Sequence, residues 1–263
     1  MNILFIGDIV GRTGRNAVKQ ILPKLKKDRQ IDLVVANGEN LASGFGMTYE
    51  TYRDMNENGI DYFTSGNHIW AKKDFLPYLD DEDVKVLRPA NYPDQNLPGK
   101  GYDIIKIGSK KILLINLCGL VFMPEYLNNP FNLIDEILQS YADKKVDIIL
   151  LDFHAEATSE KNCMGHYLDG QVTAVVGSHT HIATADERIL PKGTAYITDA
   201  GMAGALNSSI GDEVKLAIEH FKTGLPFRGE VAPAPAIFNA VLIEIDDKTN
   251  QAKNIELIKE IVE

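Results

Sequence analysis

Residues 147–154 read DIILLDFH, an apolar run rich in isoleucine and leucine that ends on His154. Four other stretches share the plan: NILFIGD (2–8) ends on Asp8, DLVVANGEN (32–40) on Glu39 and Asn40, DYFTSGNH (61–68) on Asn67 and His68, and TAVVGSHTH (173–181) on His179 and His181. Short apolar, β-branched runs that give way to glycine and small polar residues are buried strands entering loops. In an α/β sheet such strand ends gather at one edge, where ligand sites form. One acid, one Glu-Asn pair, one Asn-His pair and three more histidines are therefore expected to converge. That set is too rich for one metal ion and suits two.

The spacing between these runs predicts the layers. After Asp8, Val18, Ile21, Leu22 and Leu25 recur at helical spacing, with Pro23 expected to kink or shorten the helix. A strand at Asp32–Ala36 precedes a helix near Thr48–Asn58, for which Thr48 is a good N-cap and Gly59 a stop. The strand leading to Asn67 completes a βαβαβ order, hence right-handed crossovers and a largely parallel first sheet. YDIIKIG and KKILLINL, joined through GSKK, predict a β-hairpin. A helix at Asn132–Asp143 and strands at Val146–Asp152 and Thr173–Val176 follow. Later strands at Thr194–Thr198, Asn239–Ile245 and Ile255–Ile261 suggest a second, partly antiparallel sheet. With no repeat and no linker, the expected fold class is α/β: two stacked mixed β-sheets flanked by helices, in a single domain over 1–263.

Composition narrows the function. At 263 residues the chain is near the upper size for one hydrophobic core, roughly 250–300 residues, and its 44% hydrophobic and 24% charged residues are those of a globular protein. No apolar run approaches the ~20 residues needed to span a bilayer, so no membrane partner is expected. MNILFIGD reads as a strand rather than a signal peptide, and Cys118 and Cys163 form no CxxC pair, which together predict a cytoplasmic protein. The net charge of −10 argues against long nucleic acid, whose binding rests on many Lys and Arg contacts to phosphate. A small phosphorylated substrate remains compatible if metal ions supply positive charge locally.

Each residue also has a plainer reading. Asp8 reads as a helix cap, Glu39-Asn40 as a turn, Asn67 as another cap, His154 as a satisfied buried histidine, and His179 with His181 as part of a structural zinc site. His166 and His220 end no strand and are left out. Arg12 and Arg15 suit either a phosphate or surface ion pairs, and Trp70 suits packing better than base stacking. Residues 201–213, GMAGALNSSIGDE, read as a substrate loop in which Asn207, Ser208 and Ser209 fit either ligand contacts or turn chemistry.

Taken in order, GD at Gly7–Asp8, GNH at Gly66–His68, His154 after a strand and GSHTH at Gly177–His181 resemble the calcineurin-like metallophosphoesterases. NGEN, TSGNHIW, LRPANYP, the long phrase from HYLDGQ to TDAGM, and TGLP resemble its bacterial 2′,3′-cyclic-nucleotide 2′-phosphodiesterase branch over nearly the whole chain. Val10, Glu39-Asn40 and Ile69 depart from the broad superfamily pattern but match that branch. The resemblance implies a four-layer αββα sandwich and a dinuclear centre. One metal would take Asp8, Glu39, Asn40 and His181; the other would take Glu39, Asn67, His154 and His179. Glu39 is the candidate bridge between the two cations, and Asn40 replaces the histidine absent at Val10. The resemblance also implies His68 as general acid and attack by a hydroxide between the metals. Small cyclic nucleotides would be opened from the 2′,3′-cyclic form to the 3′-phosphate. Iron or manganese suits the ligands, as does zinc, and a homo-oligomer is expected. The alternatives are a metal-dependent phosphomonoesterase and a low-turnover, nucleotide-sensing regulator.

Overall fold

The structure, a computed structural model, describes residues 1–226 and 228–263. Strand β1 (Asn2–Ile6) passes through Gly7 into the short β2 (Asp8–Ile9) and then helix α1 (Gly11–Asp28). Gly11, Gly14, Ala17, Val18 and Leu22 form the buried face of α1, three to four residues apart as an amphipathic helix requires. A side chain at Gly14 would strike the Ala203 carbonyl oxygen at 2.1 Å, so this glycine sets how closely α1 lies on the sheet. Pro23 does not shorten the helix: it sits on the exposed face, and the helix runs on to Asp28.

Strand β3 (Leu33–Asn37), helix α2 (Tyr49–Glu57) and strand β4 (Tyr62–Thr64) follow. Thr48 caps α2 as its position predicts: its hydroxyl accepts the Thr51 N–H at 3.2 Å, while the Thr51 hydroxyl accepts the Thr48 N–H at 3.0 Å. Such caps contribute about 1 kcal/mol. Residues Asn67–Trp70 form a 3₁₀ turn directly beyond β4. The predicted hairpin is β5 (Tyr102–Ile107) and β6 (Lys110–Cys118); helix α3 (Pro130–Tyr141), strand β7 (Ile148–His154), helix α4 (Thr158–Tyr167) and strand β8 (Ala174–Ser178) come next. The rest comprises β9 (Arg188–Ile189), β10 (Ala195–Ile197), β11 (Met202–Ala205), helix α5 (Val214–Thr223) and the long pair β12 (Ala236–Ile245) and β13 (Ala252–Val262).

Two mixed sheets result. The first runs β2-β11-β12-β1-β3-β4, with β13 also on β12; the second runs β5-β6-β7-β8-β10-β9. Strands β1, β3 and β4 are parallel, as are β6, β7, β8 and β10. The residues expected at Asn239–Ile245 and Ile255–Ile261 are strands, but they join the first sheet, with β12 antiparallel to β1. Alternation in sequence assigns a strand's faces but not its neighbours. The edge of β1 left free by β3 is where this apolar strand fits.

Period-two alternation builds the layers. Leu4 and Ile6 of β1 face the core beneath α1 and α2, while Ile3 and Phe5 face a core shared with the second sheet. On the other side, Ile112 and Leu114 of β6 enter the shared core, and Leu113, Ile115 and Leu117 enter a third core with Ile134, Ile137 and Met164 of α3 and α4. The order is helix, sheet, sheet, helix, as expected. Among the described residues, no helix is long and apolar enough to cross a membrane.

Candidate metal centre

The parallel strands of both sheets end at one edge. Asn37 is level with Thr64 in the first sheet, and Cys118, His154 and Ser178 are level across the second. The loops beyond these positions carry the residues singled out in sequence, and the two sets meet. Nε2 of His154 is 3.3 Å from Oε1 of Glu39 and 3.0 Å from Nδ1 of His179. Nε2 of His181 is 3.7 Å from Oδ1 of Asp8 and 3.1 Å from Nδ2 of Asn40. The His179 N–H donates to Oδ2 of Asp8 at 3.0 Å, and the His68 N–H donates to Oε2 of Glu39 at 3.1 Å.

Outer hydrogen bonds fix which nitrogen each imidazole turns inward. Nδ1 of His181 donates to the Ile210 carbonyl at 2.6 Å, leaving Nε2 toward Asp8. Ser178 Oγ donates to Asp152 Oδ1 at 2.6 Å, so its oxygen accepts from His154 Nδ1 at 2.9 Å and leaves His154 Nε2 inward. Nε2 of His179 points at Glu156 Oε2, 3.2 Å away, and Nδ1 points inward. His154 and His179 therefore aim acceptor nitrogens at one another across 3.0 Å, an arrangement that needs a proton or a cation between them. Ligand atoms of Glu39, His154 and His179 all lie within 4.8 Å of one another.

Charge has the same signature. Burial pushes Glu39 up, but the neighbouring His154 and His68 hold it well below the usual carboxylate range. Burial pulls His154 down, yet Glu39 and Asp8 lift it to about 9; His181 is lifted to about 9 against burial by the neighbouring Asp8 carboxylate. Burial, with the charge of His154, lowers His179 to about 3.

Two oxygens of the proposed ligand set are among the described buried polar atoms that lack a partner. Oδ1 of Asp8 and Oδ1 of Asn67 are buried without a hydrogen-bond partner. Gly66, just before Asn67, leaves the space between the ligands open: a Cβ there would lie 2.2 Å from His154 Nε2 and 2.3 Å from Glu39 Oε2. Orphaned acceptors, inward imidazole nitrogens and a carboxylate among them are a donor set that fits divalent cations.

His68 lies beside this set, partly exposed. Its Nδ1 is 2.9 Å from Asn40 Oδ1 and 3.4 Å from Glu39 Oε1. The Asn40 amide thus turns its oxygen to His68 and its nitrogen to Glu39, at 3.2 Å, and to His181. The amide oxygen has two lone pairs, so it can accept from His68 Nδ1–H and still offer one to a cation.

Several supporting residues escaped the sequence reading. Asn37 Nδ2 donates to Asp152 Oδ2 at 3.2 Å and packs against His154 Nδ1 at the same distance. Burial raises Asp152 to about 6. The loop bearing His179 and His181 has positive φ at both, 103° and 65°, which costs energy for residues other than glycine. A buried ion pair holds it: Lys161 Nζ donates to Asp199 Oδ2 at 2.6 Å and to the Ser178 carbonyl at 2.7 Å, and Asp199 Oδ2 accepts the Thr180 N–H at 3.0 Å. A polar residue inside an apolar strand run was the available signal for Asn37 and Asp152. Lys161, in the unremarkable helical phrase SEKN, offered none.

The remaining candidates separate cleanly. Arg15 donates to the Leu41 carbonyl and lies 3.6 Å from Asp54, a structural pairing, while Arg12 is exposed. Trp70 packs edge-on against Tyr92 with ring centroids 5.3 Å apart. Of the expected substrate loop, Met202–Ala205 is strand β11 beside Asp8, and Ser208 is spent on a turn, donating to the Ala205 carbonyl at 2.6 Å. His166 lies in α4 and His220 in α5.

A family model described as YmdB-like protein matches residues 4–258. A 2′,3′-cyclic-nucleotide 2′-phosphodiesterase of Bacillus subtilis is 47% identical over 258 residues, covering 98% of this chain and 96% of that protein. Two solved structures superpose with a TM-score of 0.93. A hypothetical protein from Thermus thermophilus is 39% identical, with all of both chains covered. A phosphatase from Mycoplasma pneumoniae is 37% identical, with 99% of this chain and 93% of that one covered.

Proposed function

The chain belongs to the YmdB-like family and is a hydrolase of phosphoric esters, and from that premise we propose that it is a dinuclear-metal phosphodiesterase that opens 2′,3′-cyclic nucleotides to 3′-phosphates. The observation that carries the reading is the pair of inward nitrogens on His154 and His179, 3.0 Å apart beside Glu39, with the orphaned Asp8 Oδ1 nearby. Asp8, Glu39, Asn40 and His181 would hold one cation, and Glu39, Asn67, His154 and His179 the other. Asp8 and Glu39 supply the formal negative charge of the set, so two divalent ions leave it net positive and attractive to a phosphodiester anion. Bound there, they would orient the phosphate oxygens and make a water acidic enough to attack at neutral pH. Iron or manganese suits this mixture of imidazole, carboxylate and amide oxygen, and zinc fits it too.

The chain's own work is to place and supply protons. A water oxygen bonds to phosphorus as the P–O2′ bond breaks; O2′ takes a proton from His68, and the proton lost by the water passes to solvent. As imidazolium, His68 would donate its Nδ1–H to the Asn40 amide oxygen, 2.9 Å away, and give its Nε2 proton to the leaving oxygen, ending as neutral imidazole. The backbone bond from His68 to Glu39 ties the acid to the cation site.

The test is parallel turnover of 2′,3′-cyclic AMP, bis(p-nitrophenyl) phosphate and p-nitrophenyl phosphate, with the cyclic product assigned by ³¹P NMR. Cyclic diester turnover should exceed monoester turnover and yield the 3′-phosphate; faster monoester hydrolysis would make the protein a phosphomonoesterase. His68→Ala should slow the cyclic substrate about 10²–10⁴-fold with metal content intact, and slow p-nitrophenyl diesters less because their leaving group needs no acid.

A further inference from the structure

One exposed aromatic side chain lies against His68, the candidate acid. Phe45 is 51% exposed, yet its backbone is fixed. It lies in a tight turn between the fully buried Leu41 and Met47, where Ala42 N–H donates to the Gly46 carbonyl at 2.8 Å and Phe45 N–H donates to the Ala42 carbonyl at 3.2 Å. Ser43, Gly44 and Gly46 take positive φ to make this turn, and the Arg15 guanidinium holds the Leu41 carbonyl. The ring is presented to solvent on a rigid mount. It touches His68, with centroids 4.3 Å apart and planes inclined by 49°.

Substrate geometry gives this contact meaning. In a 2′,3′-cyclic nucleotide the base is on C1′, bonded to the C2′ that carries the leaving oxygen. If His68 delivers its proton to O2′, the base lies within a few bonds of the His68 ring. Among the described residues, the aromatic ring packed on His68 is that of Phe45. Trp70 is turned into the core against Tyr92 and is not free to take a base.

We propose that Phe45 is the base-stacking face of a nucleoside subsite beside His68, an inference that rests on the cyclic-nucleotide reading above. A phenyl ring has no donors or acceptors, so the subsite accepts any nucleobase and favours purines for their larger faces.

The experiment compares Phe45→Ala and Phe45→Trp with the parent enzyme, each metal-loaded, on 2′,3′-cyclic AMP and on glycerol 1,2-cyclic phosphate, which has the strained ring but no base. Phe45→Ala should raise KM for the nucleotide, with a loss in kcat/KM about tenfold or more beyond any loss on the base-free ester, and Phe45→Trp should restore it. Equal losses on both substrates would mean that the ring acts only through His68, and no loss on either would mean that it binds nothing; each overturns the subsite. A parent enzyme that opens neither cyclic phosphate but hydrolyses monoesters would overturn the proposed function itself, and the subsite with it.

Discussion

The two sheets bring unlike chemistry to their common edge. Strand ends and loops of the first carry Asp8, Glu39, Asn40 and Asn67, a set of oxygen donors, whereas those of the second carry His154, His179 and His181, all imidazoles. The oxygen half is anchored by backbone geometry, with Asp8 in β2 and Glu39 two residues beyond β3. The imidazole half needs a scaffold of its own: Ser178 holds His154 and is braced by Asp152, which accepts from Asn37, and the buried Lys161–Asp199 pair holds the loop of His179 and His181. The difference teaches where precision is costly. A carboxylate can meet a cation from a range of directions, but an imidazole offers one lone pair, whose direction must be set by bonding the opposite nitrogen.

If the halves act as one centre, losing a ligand from either should be equally severe. Asp8→Ala and His154→Ala should each lower kcat/KM by roughly three or more orders of magnitude, and the double variant should fare little worse than either single one. Metal analysis of each variant, together with kinetics, checks this. Full activity in either, or losses that multiply, would break the unit apart.

A smaller effect should expose the scaffold of the imidazole half alone. Asp199→Asn leaves the Lys161 ammonium buried without its counter-ion and weakens the hold on the loop at Thr180. Breaking a buried pair in this way costs about 3–5 kcal/mol, which corresponds to a fall in Tm of roughly 10 °C for a chain of this size. Calorimetric melting measures the fall, and metal retention on dialysis should drop with it. An unchanged Tm with full metal content would remove the pair from the scaffold.

The smallest signal sharpens the contrast between titrating and non-titrating halves. In the metal-free protein His154 and His181 are held near 9 and Asp8 and Glu39 below their usual range. Below pH 9 the two imidazoles therefore carry protons that a cation must displace, whereas the carboxylates are already ionised. Metal affinity should rise with pH toward 9 and level off above it, with proton release that calorimetry in buffers of different ionisation heat reads directly. Binding without proton release at pH 7 would contradict the two raised imidazoles.

The legibility of the chain follows the same division. Buried strands ending on ligand-type residues could be read directly, because alternation and β-branched composition are local properties. The cap at Thr48 was equally local. The sheet to which β12 and β13 belong was not, since an apolar strand fits either sheet and only the free edge of β1 selects one. Helix α4 carried no clear apolar period, and its Lys161 became meaningful only once the fold set it against Asp199. Phe45, in the phrase ASGFGM, carries no local signal of its place; only the fold lays its ring on His68.

By itself the sequence determined which residues stand at strand ends, the alternation of faces that makes four layers, and the donor chemistry available at one edge. Tertiary structure alone decided which imidazole nitrogen faces inward, which strand completes the first sheet, and which buried charges brace the ligand loops. The physical reason is range. Backbone preference and hydrophobic period act within a few residues, whereas hydrogen-bond direction and ion pairing join positions as distant as Asp8 and His179 only after the sheets have packed.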